Sequence, residues 1–201
     1  MRISSTGLSN ILFSKVRQSV LALLYGRPDQ SFHTNEIIRL TQSGTGAVQR
    51  ELEKLASGGL ISIQSIGNQK RYQANELSPL YSELRSIVLK TFGLHDILRQ
   101  ALDPVAAHIY VAFIYGSIAK QEDTSTSDID LMLICKDLTY ADLFKFLEEA
   151  QVQLGRKINP TFYSPIEWST KLKANNNFLI QVIKQPKIFL IGTEDELAKL
   201  R

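Results

Sequence analysis

The stretch "YGSIAKQEDTSTSDIDLMLI", residues 115–134, contains the residues best suited to chemistry. Gly116 and Ser117 follow one apolar run, and Asp128 and Asp130 stand at the start of the next. Residues i and i+2 of a strand point to the same face, so the two carboxylates share a face, about 6.5–7 Å apart at the backbone. Burying two carboxylates side by side is costly unless a cation pairs with them. The pair is therefore either a solvated strand end or a cation site.

The same residue types suit a divalent metal and a phosphate group. Two carboxylates are typical ligands of Mg²⁺, which keeps several waters and takes phosphate oxygens at its other positions. Gly116 permits a sharp turn after a strand, and Ser117 offers a hydroxyl and a backbone N–H where a helix begins. Either motif alone is common in ordinary turns and strand ends. Their succession on consecutive strands favours a metal and phosphate site.

The segment "GSIAKQEDTSTSDIDL" resembles the nucleotidyltransferase superfamily built around a polymerase-beta-like core, especially its minimal single-domain members. The resemblance implies Mg²⁺-dependent transfer of a nucleoside monophosphate from a triphosphate such as ATP. It implies that Asp128 and Asp130 are the catalytic and metal-binding residues. The nucleotide-binding residues that it implies are Gly116, Ser117, Lys120 and Ser127.

One position departs from the pattern of that family. Active members usually carry a third carboxylate on a later strand, and the corresponding residue in "KINPTF" is Asn159. An amide oxygen can bind a metal weakly, but it cannot deprotonate an acceptor. Pro160 marks this strand as an edge strand, and Glu167, the nearest spare carboxylate, is expected beyond the strand and in solvent. We therefore expect metal binding to survive more easily than turnover.

The first part of the chain predicts a winged helix-turn-helix, because three helices precede a two-stranded hairpin. The third helix, "AVQRELEKLA", turns polar residues outward, and the turn with Asn68 leads into a basic wing. Residues 1–91 hold 11 Lys/Arg against 6 Asp/Glu, whereas residues 92–201 hold 12 against 14. A basic half favours a polyanionic partner, so double-stranded DNA is predicted. The predicted DNA-binding residues are Ser43, Thr45, Gln49, Arg50, Lys70 and Arg71. The alternative is a small helical domain with an incidental hairpin that serves protein contacts.

Several local expectations accompany this layout. One helix is predicted from Ile11 to Tyr25, and Thr34 or Asn35 is expected to cap the second helix. The helix over residues 78–91 carries an apolar stripe that must bury against a dimer partner or the second domain. A homodimer is predicted on this basis. The stripe consists of Leu80, Leu84, Ile87 and Val88.

The fold class predicted is α+β with two domains: a winged helix-turn-helix followed by a small, mixed α/β, nucleotidyltransferase-like domain. The predicted boundaries are 1–76 for the DNA-binding domain, 77–103 for linker helices and 104–201 for the nucleotidyltransferase-like domain. This order resembles a group of prokaryotic transcriptional regulators with a C-terminal nucleotidyltransferase domain.

Three functions fit the sequence. The first is a DNA-binding regulator whose second domain binds a Mg²⁺–nucleotide. The second is a working nucleotidyltransferase acting on a protein, an RNA or a small molecule, with transfer onto a partner in a toxin–antitoxin setting as one form. The third is a protein-interaction module with a vestigial second domain, which the intact Gly-Ser and Asp-x-Asp motifs disfavour.

The remaining residues point to ordinary structural roles. No apolar run is long enough to span a bilayer, and residues 1–10 lack the apolar region of a signal peptide, so a cytoplasmic protein with no membrane partner is expected. Cys135 is expected to be a buried, inert thiol and Trp168 a core residue. His33, His95 and His108 have no partner at ligand spacing.

Overall fold

A computed structural model describes residues 5–67 and 69–201, so Asn68, predicted near the tip of the wing, lies outside the described residues. The chain divides into two compact units, Met1–Asp96 and Ile97–Arg201. Each unit has its own hydrophobic core and is described by itself.

The N-terminal unit combines helices with a small sheet. Its elements are α1 (Ser5–Leu12), α2 (Lys15–Gly26), β1 (Phe32–His33), α3 (Thr34–Thr41), α4 (Thr45–Ser57), β2 (Ile61–Ile66), β3 (Gln69–Ala74) and α5 (Tyr81–Thr91). The sheet is antiparallel with the order β1-β3-β2. Its core consists mainly of Val20, Leu21, Leu24, Ile37, Val48, Leu52, Leu55 and Ile61.

Two local predictions in this unit were wrong. The single helix expected from Ile11 to Tyr25 is interrupted, because Ser14 is extended and its side chain accepts a hydrogen bond from the backbone N–H of Arg17. The cap of α3 is His33 rather than Thr34 or Asn35. Its Nδ1 accepts from the Asn35 N–H at 3.2 Å, and Glu36 accepts from the His33 N–H at 2.6 Å. A ring nitrogen thus supplies the acceptor that a hydroxyl usually gives a capping box.

Two of the four residues in the apolar stripe of α5 are used inside the N-terminal unit. Leu84 and Val88 belong to the core of that unit, where α5 packs against α2. Leu80 and Ile87 remain exposed. Leu84 and Val88 therefore do not require a second copy of the chain to bury them, and the homodimer stays a prediction.

The C-terminal unit is built on a four-stranded mixed sheet. Its elements are α6 (Leu94–Leu102), a 3₁₀ segment (Asp103–His108), β4 (Ile109–Tyr115), α7 (Ser117–Lys120), β5 (Ile129–Cys135), α8 (Tyr140–Leu154), β6 (Ile158–Tyr163), α9 (Pro165–Lys173), α10 (Asn177–Lys184), β7 (Ile188–Ile191) and α11 (Glu194–Ala198), with α6 beginning just before the unit boundary. The strand order is β6-β5-β4-β7. The β5–β6 pair is parallel, and the β4–β5 and β4–β7 pairs are antiparallel. β6 is an edge strand, as Pro160 predicted.

One face of this sheet forms the hydrophobic core next to the candidate site. Phe113 and Tyr115 of β4 and Met132 of β5 pack with residues of the last three helices, Trp168, Leu179, Val182 and Leu197. Trp168 is fully buried, as expected. Cys135 is also buried, and burial raises the pKa of its thiol to about 11, in keeping with an inert role. Asp128 is exposed and Asp130 is only partly buried, so the start of β5 stands at the edge of this core.

Across residues 5–67 and 69–201, no helix is long and apolar enough to cross a membrane.

Candidate functional site

The two aspartates lie where three strands meet at one end of the sheet. Asp130 pairs with Tyr115 across the antiparallel β4–β5 ladder and with Asn159 across the parallel β5–β6 ladder. Asp128 comes just before β5. Side chains on neighbouring strands at one register position project to the same face. The sheet therefore brings together Asp130 and the residue predicted to replace the third carboxylate.

Gly116 allows the chain to turn after β4, and its backbone lies close to the Asp130 side chain. Its φ of 74° and ψ of −149° lie in a region open essentially to glycine alone. A Cβ added at Gly116 would lie 2.4 Å from the Asp130 Oδ2 atom. Glycine is thus required here both by the backbone conformation and by the carboxylate beside it.

The short helix after Gly116 carries two further predicted residues. Ser117 opens α7 and is partly buried, and Lys120 closes α7 and is exposed. The backbone N–H of Lys120 donates to the Gly116 carbonyl at 3.1 Å. Both residues therefore follow directly on the turn that contacts Asp130, and their role in binding a nucleotide stays a prediction.

Asn159 is part of the carboxylate cluster. Its Nδ2 donates to the Asp128 Oδ2 atom at 3.0 Å. Glu167 does not replace the missing carboxylate, because it accepts from the Ser164 N–H at 2.8 Å as part of the capping box of α9. The third position of the cluster thus holds a neutral amide.

The environment shifts the protonation of Asp130. Partial burial raises the pKa of its carboxyl above the ordinary value, and the Asp128 carboxylate raises it further, while a hydrogen bond from Asn159 acts in the opposite direction. A raised pKa means that the ionised carboxylate lacks a compensating positive charge. A bound cation would supply that charge.

The loop before β5 is held by an ion pair that the sequence analysis missed. Arg156 Nη1 donates to the Asp123 Oδ2 atom at 3.0 Å, and both side chains are almost fully buried. Arg156 Nε donates to the Ser127 carbonyl oxygen at 2.8 Å. Asp128 follows Ser127 directly, so Arg156 fixes the backbone that presents this carboxylate. The two charges are 33 residues apart in sequence, and no local spacing pattern links them.

Ser127, predicted to bind nucleotide, is engaged within this loop. Its hydroxyl oxygen accepts from the Thr124 N–H at 2.9 Å and lies 3.2 Å from the Thr124 hydroxyl. These contacts close a tight turn next to Asp128. The structure therefore gives Ser127 a part in shaping the loop.

The donor set fits one magnesium ion better than two. Asp128 and Asp130 offer carboxylate oxygens, and Asn159 offers an amide oxygen, all hard ligands of the kind that Mg²⁺ prefers. No group of three or more His, Cys, Asp or Glu side chains that could hold a metal was found in the part of the chain that the structure describes. With only two negative charges, the residues would hold Mg²⁺ together with the phosphate oxygens of a ligand.

The predicted DNA-binding residues lie in the N-terminal unit and differ in availability. Thr45, Gln49 and Arg50 are exposed on α4, and Lys70 is exposed on β3. Ser43 is partly buried, and its hydroxyl donates to the Thr41 carbonyl oxygen at 3.1 Å.

Arg71 is held by residues of its own unit. Its Nε donates to the Ser31 hydroxyl at 2.9 Å, its Nη2 donates to the Ser31 carbonyl, and the guanidinium is 3.6 Å from the Glu36 carboxylate. Of the two predicted wing cations, Lys70 is thus the more available for a phosphate contact.

Comparison with known proteins bears on the C-terminal half. Residues 95–191 match the family model described as polymerase beta, nucleotidyltransferase. These residues form a polymerase-beta-type nucleotidyltransferase domain. The match contains Gly116, Ser117 and both aspartates, so the resemblance drawn from "GSIAKQEDTSTSDIDL" is confirmed at the level of the domain.

The other comparisons add little to the nucleotidyltransferase assignment. No curated protein matches the chain. A solved structure, a crystal structure of a toxin–antitoxin with AMP-PNP, is similar with a TM-score of 0.41 and 16% sequence identity, over 53% of this chain and 79% of that chain. A likeness this weak says nothing about the ligand or the partner of the present chain.

Proposed function

We propose that this protein is a DNA-binding regulator whose nucleotidyltransferase domain binds a nucleoside triphosphate with Mg²⁺ and transfers its nucleotidyl group poorly or not at all. The observation that carries the proposal is the cluster at the start of β5. Two carboxylates lie there beside a glycine turn, and the amide of Asn159 donates to one of them.

The binding half of the proposal follows from charge. Asp128 and Asp130 would hold Mg²⁺, which supplies positive charge to a triphosphate and to the partly buried Asp130 carboxylate. Gly116 carries no side chain and lets the chain turn beside the Asp130 carboxylate, and Ser117 offers an N–H and a hydroxyl to a phosphate directly after that turn. These residues bind and orient the triphosphate.

The loss of transfer follows from Asn159. An acceptor hydroxyl must lose its proton when it attacks phosphorus, and an amide cannot accept that proton. Glu167 is committed to the cap of α9 and does not fill the gap. The cluster therefore favours a nucleotide-binding role over turnover.

A working nucleotidyltransferase is the second candidate function. It is supported by the domain match over residues 95–191 and by the retention of both aspartates. In this case the acceptor is a protein, an RNA or a small molecule, and the N-terminal unit supplies targeting.

The DNA-binding half rests on the N-terminal unit. The proposal of a winged helix-turn-helix is supported by the element order from α2 to β3 and by the antiparallel β1-β3-β2 sheet. α4 would present Gln49 and Arg50 to the base edges, and Lys70 would contact the phosphate backbone. Arg71 would chiefly hold β3 to the segment before α3.

One experiment separates nucleotide binding from a vestigial role of the nucleotidyltransferase domain and detects transfer to the chain itself or to water. The protein is incubated with α-labelled ATP and Mg²⁺, and bound label is measured before and after denaturation, together with released pyrophosphate. The proposal predicts label that is retained by the native chain, lost on denaturation, and not accompanied by pyrophosphate. Pyrophosphate release or covalent label would establish the active enzyme, and no retained label would overturn nucleotide binding.

DNA binding is tested by fluorescence anisotropy with random double-stranded fragments over a series of salt concentrations. Lys70→Ala should weaken binding to all fragments and reduce the slope of log K against log salt by about 1. Lys145→Ala, which removes an exposed lysine from α8, is the control and should leave the slope unchanged.

Base readout is tested on a site selected from a random library. Arg50→Ala should cost about 1–3 kcal/mol on that site and far less on other sequences. Binding that does not respond to salt, or no binding to any duplex, would contradict the regulator.

A further inference from the structure

An aromatic pair lies beside the carboxylate cluster at the same end of the sheet. Tyr115 pairs in register with Asp130, and its hydroxyl lies 3.4 Å from the Thr161 hydroxyl. Burial raises the pKa of the Tyr115 hydroxyl, and the nearby Asp130 carboxylate adds to that shift. Tyr115 thus forms the wall of the cluster on the side of β4.

Phe178 extends this wall into solvent. It stands in the first turn of α10, and its ring packs edge-on against Tyr115 with 6.0 Å between the ring centroids. The next residue, Leu179, is fully buried in the core under α10, whereas Phe178 remains 43% exposed. Phe178 therefore lies at the exposed edge of this core, in contact with the residue that pairs with Asp130.

We propose that Phe178, braced by Tyr115, is the surface on which the base of the bound nucleotide stacks. The inference rests on the proposed nucleotide binding and names the part of the site that recognises the base. A nucleotide has a charged end and a flat aromatic end. Tyr115 pairs in register with Asp130 and packs against the half-exposed ring of Phe178, so a carboxylate site and an aromatic surface are joined through one residue, which matches both ends of one ligand.

The chemistry of the ring defines what it selects. Stacking on an aromatic side chain is worth about 1–3 kcal/mol per base and tolerates any base, because every base has a π-face. Phe178 has no hydrogen-bonding group, so it distinguishes a nucleoside triphosphate from a bare polyphosphate rather than one base from another.

The test compares ATP with inorganic tripolyphosphate, each with Mg²⁺, by calorimetry on the full chain. Phe178→Leu keeps the apolar contact with Tyr115 but removes the π-face. It should weaken ATP binding by about 5- to 150-fold and leave the affinity for tripolyphosphate unchanged. Phe144→Leu, at a phenylalanine with 46% exposure on α8, is the matched control and should change neither affinity.

A second variant gives an optical readout that does not depend on affinity alone. Phe178→Trp keeps an aromatic face and should retain ATP binding. Its fluorescence should be quenched by ATP but not by tripolyphosphate, with the wild type, whose single tryptophan is the buried Trp168, as the background.

The outcomes distinguish a failure of the stacking surface from a failure of nucleotide binding, on which the stacking surface depends. Loss of ATP affinity in Phe178→Leu with unchanged tripolyphosphate affinity supports the stacking surface. Equal ATP affinity in Phe178→Leu and wild type, with no quenching in Phe178→Trp, overturns the stacking surface alone. A wild type that binds neither ligand overturns nucleotide binding and the stacking surface together.

Discussion

Asn159 donates a hydrogen bond from its side-chain amide to the Asp128 carboxylate at 3.0 Å. The contact joins the strand that would carry a third carboxylate to the first of the two aspartates. An aspartate in place of Asn159 could not donate this bond, and it would add a third negative charge to the cluster. The identity of this one side chain therefore bears on the stability of the site and on its demand for cations.

Asn159→Asp should raise the requirement for Mg²⁺. Without metal, three carboxylates repel each other, and we expect the free energy of unfolding to fall by about 1–3 kcal/mol through the lost hydrogen bond and the added repulsion. Saturating Mg²⁺ should restore most of this loss, because the added carboxylate becomes a ligand. Chemical denaturation with EDTA and with Mg²⁺ measures both values. A variant as stable as the wild type in EDTA would contradict the contact between Asn159 and Asp128.

Gly116→Ala should damage the site more than an ordinary glycine replacement. The added Cβ must displace the Asp130 carboxylate, from which it would be 2.4 Å away, and the backbone would carry about 1–3 kcal/mol of strain. We expect Mg²⁺-dependent ATP affinity to fall at least about tenfold, which corresponds to a loss of about 1.4 kcal/mol in binding free energy. Calorimetry measures the affinity.

The matched control for that change is Gly67→Ala. Gly67 also has a positive φ, of 60°, but an added Cβ would meet nothing within 4 Å. The Gly67 variant should lose stability through backbone strain and keep the ATP affinity of the wild type. If Gly116→Ala kept the same ATP affinity as Gly67→Ala and the wild type, Gly116 would not be packed against the binding site.

Arg156→Gln should be the most destabilising of these changes. The change leaves the Asp123 carboxylate buried without its guanidinium and removes the hydrogen bond to the Ser127 carbonyl. Breaking a buried ion pair in this way lowers the free energy of unfolding by about 3–5 kcal/mol. Arg99→Gln breaks the exposed pair with Asp103 and should cost less than about 1 kcal/mol. Urea denaturation of both variants provides the comparison. Similar losses in the two would mean that Arg156 does not hold the loop.

The raised pKa of Asp130 predicts how its replacement changes stability with pH. A carboxyl whose pKa is higher in the folded chain contributes stability at low pH and loses it as the pH rises through the folded-state pKa. Asp130→Asn should therefore match the wild type well below the ordinary aspartate pKa of about 3.9 and be more stable at neutral pH. Because Asp130 is only partly buried, solvent screening limits the gain to about 0.2–1 kcal/mol.

That gain is measured by urea denaturation in EDTA across the pH range. A pH-independent difference between Asp130→Asn and the wild type would contradict the proposed environment of the carboxyl.

Local patterns predicted the strands that carry the candidate site. The apolar runs before Gly116 and after Asp128 form β4 and β5, and Pro160 correctly marked β6 as an edge strand. The proximity of Asp130 and Asn159 could be predicted from the sequence, because it follows from the Asp-x-Asp motif and from the pairing of neighbouring strands.

Other features depend on contacts between distant residues. The ion pair of Arg156 and Asp123 and the packing of Phe178 on Tyr115 join residues that no periodicity relates. α5 packs against α2, which lies far earlier in the chain, so the sequence alone does not show that Leu84 and Val88 are covered. His33 is not predicted as a cap because hydroxyl, carboxylate and carboxamide side chains are the usual acceptors at that position.

The most direct measurement is a calorimetric titration of ATP, with and without Mg²⁺, into the wild type and the double variant Asp128→Asn, Asp130→Asn. Asp137→Asn serves as the control for loss of a carboxylate on the same unit. We expect binding that requires Mg²⁺, persists in Asp137→Asn and disappears in the double variant. Binding that is independent of Mg²⁺ or unchanged in the double variant, or no binding to the wild type, would contradict a metal–nucleotide site at the start of β5.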